Sequence, residues 1–425
     1  MMAAAAGMFS SARDRSSGAV KRPVEYSILY TATLCTLAVG AVMVYSASSA
    51  ESLLAAGDPA TYLKRYVLFG MVGVGALFFL SRHGLSLVRN ATPMLLAVGF
   101  VLTLAVFVPG VGVEVNGAKR WLGAGPLQFQ PSELLKLALM LYAVHMLALR
   151  PKSVRSMGTL ARPLLLVVGA ACAVLMTQPD MGTALVVCGS IGALLIAAGT
   201  PIRLIGTMFA GMAGLALVLA VIEPYRMARL TAFIDPFSDA GGSGFQAVQA
   251  LTAIGSGGLF GVGLGESVQK IFYLPEAHTD MILAIIGEEL GLAGIVGVVA
   301  LYGLIGYAGL RTAKAARDRY SKLLAAGLTS LILFQASLNL FAVLGLAPLT
   351  GVPLPFISYG STNLIVLMAA MGLLLNVAAT GGVAAKAAPK LWAIDGGRGD
   401  QNRDSRGRDS RARGARSGRG GRAAG

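Results

Sequence analysis

Long apolar runs separated by short polar segments dominate this chain of 425 residues. A membrane-spanning helix needs about 20 mostly apolar residues, and this criterion predicts ten spans. They cover residues 27–48, 64–81, 92–109, 132–149, 162–177, 181–199, 203–222, 281–310, 323–346 and 362–381. Several contain Gly and Pro, which membrane helices tolerate because neighbouring groups satisfy the freed backbone. The pattern therefore predicts an all-α, polytopic membrane protein.

Composition supports this class and excludes an ordinary soluble domain. Hydrophobic residues make up 55% of the chain, charged residues 13%, and the mean hydropathy is +0.70. That is more apolar surface than a soluble core buries. Residues 1–26 contain no apolar segment of the signal-peptide kind, so we expect a short cytosolic tail. Cys35, Cys172 and Cys188 lie in apolar runs and are expected to pack as small hydrophobes, without a disulfide framework.

The distribution of basic residues predicts the orientation. The segments expected in the cytosol carry Lys21, Arg22, Arg82, Arg89, Arg150, Lys152, Arg155, Arg162, Arg203, Arg311, Lys314, Arg317, Arg319 and Lys322. By the positive-inside rule both termini are cytosolic, which requires an even number of spans. No convincing internal repeat of the transporter kind is visible.

The chain divides into a membrane domain, residues 27–381, and a C-terminal tail, residues 382–425, that is rich in Arg and Gly. Such a composition predicts disorder. The tail is interpreted either as a solubilising extension attracted to anionic lipid or as a docking site for a cytosolic partner. An Arg/Gly tract is also compatible with RNA binding, but nothing else in the chain supports nucleic-acid binding.

Four outer loops are too rich in polar and charged residues to be simple connectors. The largest, residues 223–279 between spans seven and eight, exceeds the usual length of a connector. It contains "SGGLFGVGLGES", so we expect a re-entrant or surface-packed element instead of a free coil. These loops indicate that function lies on the extracellular side.

Two groups of charged residues lie in the first of these loops and at the start of the span that follows it. Lys119 and Arg120 stand beside Trp121 and are interpreted either as a phosphate or lipid head-group site or as interfacial anchors. Glu133 and Lys136 are three residues apart, which places them on one helix face as an ion pair. Because such a pair is costly in lipid, it should face a protein interior or a wet cavity. Glu133 is expected to be structural, and Lys136 could also bind substrate.

Asp280 precedes an apolar run of thirty residues, 281–310, about 45 Å as a helix against a hydrocarbon core of about 30 Å. Asp280 therefore sits at the extracellular end, where it either caps the helix or acts chemically. Glu288 and Glu289 lie deeper, near the membrane boundary, and are expected to support the bundle. His278 is a polar neighbour, and no second His or Cys at a useful spacing predicts a metal site.

Four motifs occur in order: "NGAKRWL" with "QPSELLKL", then "QPDMGTAL", "YLPEAHTDMILAIIGEELG" and "PLPFISYG". Together they resemble the FtsW/RodA (SEDS) family of bacterial peptidoglycan glycosyltransferases, over residues 26–379. Four ordered motifs are more specific than one. The pairing of "PEAHTD" with "IIGEELG" is more similar to the division-associated FtsW branch than to the elongation-associated RodA branch.

The resemblance implies polymerisation of lipid II at the outer face of the cytoplasmic membrane. A glycan on undecaprenyl pyrophosphate is the donor, and the new β-1,4 bond forms with inversion. Asp280 corresponds to the family's essential acidic residue, and a carboxylate there is a suitable base for the acceptor 4-hydroxyl. Lys119, Arg120 and Lys136 are the candidates for stabilising the departing pyrophosphate. No tightly bound cofactor is expected; Mg²⁺ or Mn²⁺ would be held mainly by the pyrophosphate.

The resemblance also implies partners: a class B penicillin-binding protein that crosslinks the strands, and other division proteins at the septum. A lipid II flippase, an elongation-type polymerase and a scaffold without chemistry remain alternatives. The sequence departs from the family at Ser361, Thr362 and Asn363, where Gly-Ser-Ser is usual. Ser358 and Tyr359 either contact substrate or rigidify the Pro-rich turn.

Overall fold

The apolar runs form long helices in a computed structural model that describes residues 22–115, 117–124, 127–222 and 224–387. The longer helices are α1 (Val24–Ala56), α2 (Thr61–Ala105), α3 (Pro131–Leu149), α4 (Leu166–Thr177), α5 (Met181–Ala198), α6 (Ile202–Ile222), α7 (Pro224–Ile234), α8 (Phe245–Gly257), α9 (Ile282–Ala315), α10 (Arg319–Val343) and α11 (Ser361–Ala387). Short helical turns at Pro151–Arg155, Met157–Leu160 and Ala161–Leu165 join α3 to α4. Of the predicted tails, residues 1–26 and 382–425, the parts up to residue 21 and from residue 388 lie outside the described residues.

Seven helices within the described ranges are long and apolar enough to cross a membrane: α1, α2, α3, α5, α9, α10 and α11. Two shorter apolar helices, Pro163–Thr177 and Ile202–Gly214, coincide with further predicted spans. The protein is therefore a multi-pass helical membrane protein, as predicted. The count of ten spans stays a prediction.

Helix α2 covers two predicted spans in one run of 45 residues, which would be about 68 Å long if it were straight. Near its start, the Tyr66 hydroxyl donates to the carbonyl of Phe356, just before α11. In its middle, Asn376, fifteen residues into α11, donates to the carbonyl of Ser81 (2.9 Å). Near its end, the carbonyl of Thr103 accepts from the loop before α5 (2.7 Å). Both ends of α2 thus reach the same end of the bundle, and the run passes through the bundle twice.

The centre of the bundle is formed by α9 and α10. α9 packs against α1, α8 and α10, and α10 packs against α3 and α5. Small residues allow close approach: a methyl group added at Gly309 of α9 would lie 2.2 Å from the Thr329 hydroxyl of α10. Such small-residue contacts drive helix association in membranes, where the lipid is as apolar as the side chains.

A three-stranded antiparallel sheet follows α2, on the same side of the bundle as the start of α3. Its strands are β1 (Gly112–Val115), β2 (Ala118–Ala124) and β3 (Leu127–Phe129), in the order β1-β2-β3. These strands are not predicted from the sequence, because runs of three to seven residues are too short for a clear alternating pattern. The fold is therefore all-α in the membrane with a small β element outside it.

Helix α9 is interrupted at Gly291, where φ is 66° and ψ is −164°. Four backbone hydrogen bonds from the preceding loop fill the break: Val262 N to Glu288 O (3.0 Å), Gly263 N to Glu289 O (3.1 Å), Leu292 N to Gly258 O (2.9 Å) and Ala293 N to Leu259 O (3.1 Å). Lipid offers no hydrogen-bond partners, so non-helical backbone at this depth must be satisfied by protein. The predicted re-entrant or surface-packed element in the long outer loop is confirmed.

The cysteines differ in their surroundings. Cys172 of α4 and Cys188 of α5 are half-buried, with 3.5 Å between their Sγ atoms. Cys35 is exposed on α1, a helix long and apolar enough to cross a membrane, so its small side chain faces outward from the bundle.

Candidate functional site

Asp280 lies immediately before α9, where the long outer loop ends. The helix begins at Ile282, its N-cap residue is Met281, and no side chain caps it. The capping role that the sequence left open for Asp280 is therefore wrong. Its carboxylate makes no capping hydrogen bond at the helix end.

The backbone of Asp280 is held from two sides. Its carbonyl accepts a hydrogen bond from Nδ2 of Asn339 on α10 (2.7 Å), and the same amide donates to the carbonyl of Val352 (2.8 Å). A methyl group added at Gly351 would lie 3.8 Å from Oδ2 of Asp280. The carboxylate therefore faces the Pro-rich segment before α11, and α10 fixes its position.

The Asp280 carboxyl has an unusual acidity for its type. Burial raises its pKa to about 7 from an ordinary 3.8, and the negative charge of Glu276 adds to the rise. A hydrogen bond from Thr279 and the positive charge of Arg229 oppose it. Because the residue remains partly exposed, solvent or a ligand can reach it. A perturbed carboxyl in an accessible position is typical of a general acid or base.

Arg229 of α7 is a cation near Asp280 that is not among the site residues predicted from the sequence. Its Nη1 donates to the carbonyl of Leu349 (2.9 Å). It also lines a cavity of about 280 Å³ between α7, α8 and the segment that follows α10. Nothing local in the sequence singles Arg229 out, since only the packing of α7 brings it to Asp280.

Lys119 and Arg120 lie on strand β2 with different exposure. Lys119 is exposed, and Arg120 is half-buried. The Arg120 guanidinium donates to the carbonyls of Gln178 (2.9 Å) and Pro179 (2.5 Å), so it braces the loop before α5. The phosphate contact of this pair stays a prediction, and Lys119 is the member that is open to a ligand.

The ion pair predicted from spacing at the start of α3 is confirmed. Lys136 Nζ lies 2.8 Å from Glu133 Oε2, and the side chains are 1% and 3% exposed. Lys136 also donates to Gln335 Oε1 (2.6 Å), and Asn363 donates to Glu133 (2.6 Å). The pair faces the protein interior, as expected from its cost in lipid. Lys136 is enclosed, and its substrate contact stays a prediction.

Glu288 and Glu289 clamp the loop that precedes Asp280. Glu289 accepts from Lys270 Nζ (2.9 Å) and from the Ser46 hydroxyl of α1 (2.6 Å). Glu288 accepts from the Ser267 hydroxyl and from the backbone amide that follows it. Both carboxylates are buried, and their partners match the supporting role predicted for them.

His278 belongs to an aromatic cluster beside Asp280. Its ring centroid lies 4.3 Å from that of Tyr62 and 5.7 Å from that of Tyr359, whose amide donates to the His278 carbonyl (3.0 Å). Burial lowers the pKa of His278, against the raising effect of Glu51 and Glu276. The cluster joins the end of the outer loop to α2 and to the segment before α11.

The Pro-rich turn before α11 is held by hydrogen bonds within it. The Ser358 hydroxyl accepts from the Leu354 amide (2.8 Å) within the turn and is buried, which is the turn role left open for it. Thr362, one of the residues that depart from the family pattern, accepts from the Gln130 amide just before α3 (3.0 Å). The departures thus tie α11 to the region around β3 and α3.

Comparisons with known proteins give the family. Residues 26–381 match the family described as Cell cycle protein, which comprises FtsW, RodA and SpoVE. The chain is 39% identical over 352 residues to stage V sporulation protein E of Bacillus subtilis (strain 168), covering 82% of this chain and 96% of that protein. It is 41% identical over 342 residues to a probable peptidoglycan glycosyltransferase FtsW of Geobacter sp. (strain M18), covering 80% and 92%.

Solved structures similar to this chain support the same family. A chain from work on the structural coordination of polymerization and crosslinking by a peptidoglycan synthase complex has a TM-score of 0.68 at 30% identity, covering 82% of this chain and 96% of that one. The rod shape determining protein RodA of Thermus thermophilus has a TM-score of 0.61 at 30% identity, covering 82% and 95%. The chain therefore belongs to the FtsW/RodA/SpoVE family of cell cycle proteins.

Proposed function

We propose that this protein is a peptidoglycan glycosyltransferase that polymerises lipid II into β-1,4 glycan strands at the outer face of the bacterial cytoplasmic membrane during cell division. The observation that carries the proposal is Asp280: a partly exposed carboxyl with a pKa of about 7, held by Asn339 at the end of the bundle opposite to Arg82 and Arg317. The names of the FtsW relatives support the reaction class.

In the proposed reaction, Asp280 takes the proton from the 4-hydroxyl of the acceptor sugar. The resulting oxygen attacks C1 of the donor sugar, the bond from C1 to undecaprenyl pyrophosphate breaks, and the configuration at C1 inverts. A base whose pKa lies near the working pH is the most effective, because it is ionised yet still basic. Burial supplies that tuning at Asp280.

Negative charge develops on the departing pyrophosphate, so cations must lie close to it. Arg229, beside Asp280, and the exposed Lys119 are the proposed contacts. Arg120 braces the loop before α5, and Lys136 sits in an enclosed ion pair. Both are therefore proposed to support the site instead of contacting the pyrophosphate. Any Mg²⁺ or Mn²⁺ is proposed to arrive with the pyrophosphate, whose oxygens suit these hard cations.

A class B penicillin-binding protein at the division septum is the proposed partner, since glycan strands need crosslinking. The support is the similarity to a chain of a peptidoglycan synthase complex. Adding the cognate transpeptidase to the polymerisation assay tests whether it changes the rate.

The decisive experiment supplies labelled lipid II to the purified protein and resolves glycan polymer on a gel. Polymer should form with the wild type and disappear in Asp280→Asn and Asp280→Ala. The matched control is Asp58→Asn, an exposed carboxylate that pairs with Lys64 at the same end of the bundle, and it should keep activity. Undiminished polymer in both Asp280 variants would remove that residue from the mechanism. Lipid II movement across liposomes without polymer would assign transport instead.

A further inference from the structure

A cavity of about 360 Å³ opens at the end of the bundle opposite to Asp280. It lies between the middle of α2, the turn joining α9 to α10, and the second half of α11. Its lining residues are Ser81, Arg82, Arg317, Asn376, Ala379 and Thr380. Two guanidinium groups and three neutral polar side chains therefore share one cavity, and its lining contains no carboxylate.

The charges in this cavity are uncompensated within the part of the chain that the structure describes. Arg82 and Arg317 are exposed at the mouth of the cavity, and neither makes a hydrogen bond or ion pair there, whereas Asn376 donates to the carbonyl of Ser81 (2.9 Å). The nearest acid in sequence, Asp318, is occupied at the N-cap of α10. Two like charges in one cavity repel each other, and a bound anion would relieve the repulsion.

An apolar track leads away from the cavity along α2. Leu68, Met71, Val72 and Phe79 lie at helical spacing and are 50%, 61%, 52% and 55% exposed. They share one face of the first passage of α2, which ends at the cavity. A head group in the cavity would therefore place its acyl chains on this face.

We propose that the cavity around Arg82 and Arg317, the basic-end pocket, binds the phosphate of an anionic phospholipid of the cytoplasmic leaflet. Arg recognises phosphate through paired hydrogen bonds, and basic pockets between membrane helices bind anionic head groups. The cytoplasmic assignment follows from the positive-inside rule. The pocket is remote from Asp280 and does not depend on the proposed reaction.

Native mass spectrometry of the purified full chain tests this site. The protein is exchanged into phosphatidylglycerol or phosphatidylcholine, and retained lipid is counted after partial delipidation. We expect retention of phosphatidylglycerol by the wild type and roughly tenfold weaker retention by the double variant Arg82→Gln/Arg317→Gln. A parallel arm adds inorganic phosphate alone, which should not displace the lipid because it lacks acyl chains for the track on α2.

The matched control is Lys314→Gln/Lys322→Gln, which removes the same charge from exposed residues at the same end of the bundle and outside the pocket. It should retain phosphatidylglycerol like the wild type. Equal loss of phosphatidylglycerol from both double variants would overturn the proposal in favour of unspecific charge attraction. Retention of phosphatidylcholine equal to that of phosphatidylglycerol would overturn it because the pocket would then not prefer an anionic head group. Displacement by inorganic phosphate would overturn the lipid assignment in favour of a free-anion site. Thermal unfolding in detergent checks that each variant is folded.

Discussion

The Asp280 carboxyl links structure to a pH dependence. A general base must be ionised, and this group has a pKa of about 7 because burial penalises its charge. The polymerisation rate is therefore expected to rise between about pH 6 and pH 8 and then level off. Initial rates with labelled lipid II across this range check the prediction. A profile that is already flat at pH 5.5 would mean that a carboxyl of ordinary acidity, or no carboxyl, is the base.

Ionisation of the Asp280 carboxyl should destabilise the folded state at high pH. Its pKa is near 3.8 in the unfolded chain and about 7 in the folded one, so the folded state binds the proton more tightly. Stability is then lost as pH rises from about 4 to 7, by about 1.4 kcal/mol per unit of pKa difference at most. Asp280→Asn should accordingly raise the melting temperature at pH 8 and leave it unchanged near pH 4. A variant that melts lower than the wild type at pH 8 would contradict this.

Lys270 and Glu289 form the buried ion pair that holds the loop before Asp280. Lys270→Met leaves Glu289 buried and unpaired, and we expect a loss of about 3–5 kcal/mol. The double variant Lys270→Met/Glu289→Gln should recover part of this loss, because no uncompensated charge remains. Thermal or denaturant unfolding in detergent measures both.

The control for the buried pair is Lys64→Met. Lys64 also pairs with an acid, but its side chain is 70% exposed, so water replaces the partner and stability should change little. A loss at Lys64 as large as the loss at Lys270 would mean that burial is not the cause.

At the scale of elements, the sequence predicts what depends on local spacing. The pair Glu133 and Lys136 follows from three residues along one helix, and it is present. The run 281–310 predicts one continuous helix, whereas α9 is broken at Gly291. Apolar periodicity does not reveal a break whose hydrogen bonds come from residues 258–263, because that partner is set by tertiary packing.

The break in α9 should require glycine. At Gly291 φ is positive, and an added methyl group would lie 2.4 Å from the Gly261 amide nitrogen. Gly291→Ala is expected to cost about 1–3 kcal/mol from backbone strain alone and to reduce polymerisation by loosening the loop that leads to Asp280. Melting temperature and polymer yield are the measurements.

Gly297 provides the matched control on the same helix. A methyl group added there meets nothing within 4 Å. Gly297→Ala should therefore be neutral or stabilising by about 0.5–1 kcal/mol, as for glycine in a helix interior. Equal destabilisation by the two changes would show that the break has no special demand for glycine.

At the scale of the whole molecule, the membrane class and the order of the motifs follow from the sequence, but the site does not. Asp280 stands out through its position before an apolar run. Arg229, Asn339 and Lys270 carry no comparable signal, because each gains its role from a partner far away in the chain. Apolar periodicity indicates which face of a helix is buried, but it does not indicate which part of the protein that face packs against.

The double passage of α2 is the feature of the whole fold that is most open to test. Leu54 near the end of α1 and Glu114 on β1 flank α2, and Ser86 lies in its middle; all three are exposed. Single cysteines are placed at these positions in a chain whose three native cysteines are replaced by alanine. If α2 passes through twice, Leu54→Cys and Glu114→Cys both react with a membrane-impermeant maleimide on intact cells, and Ser86→Cys reacts only after permeabilisation. If α2 crossed once, Leu54 and Glu114 would lie on opposite sides, and only one of them would react on intact cells.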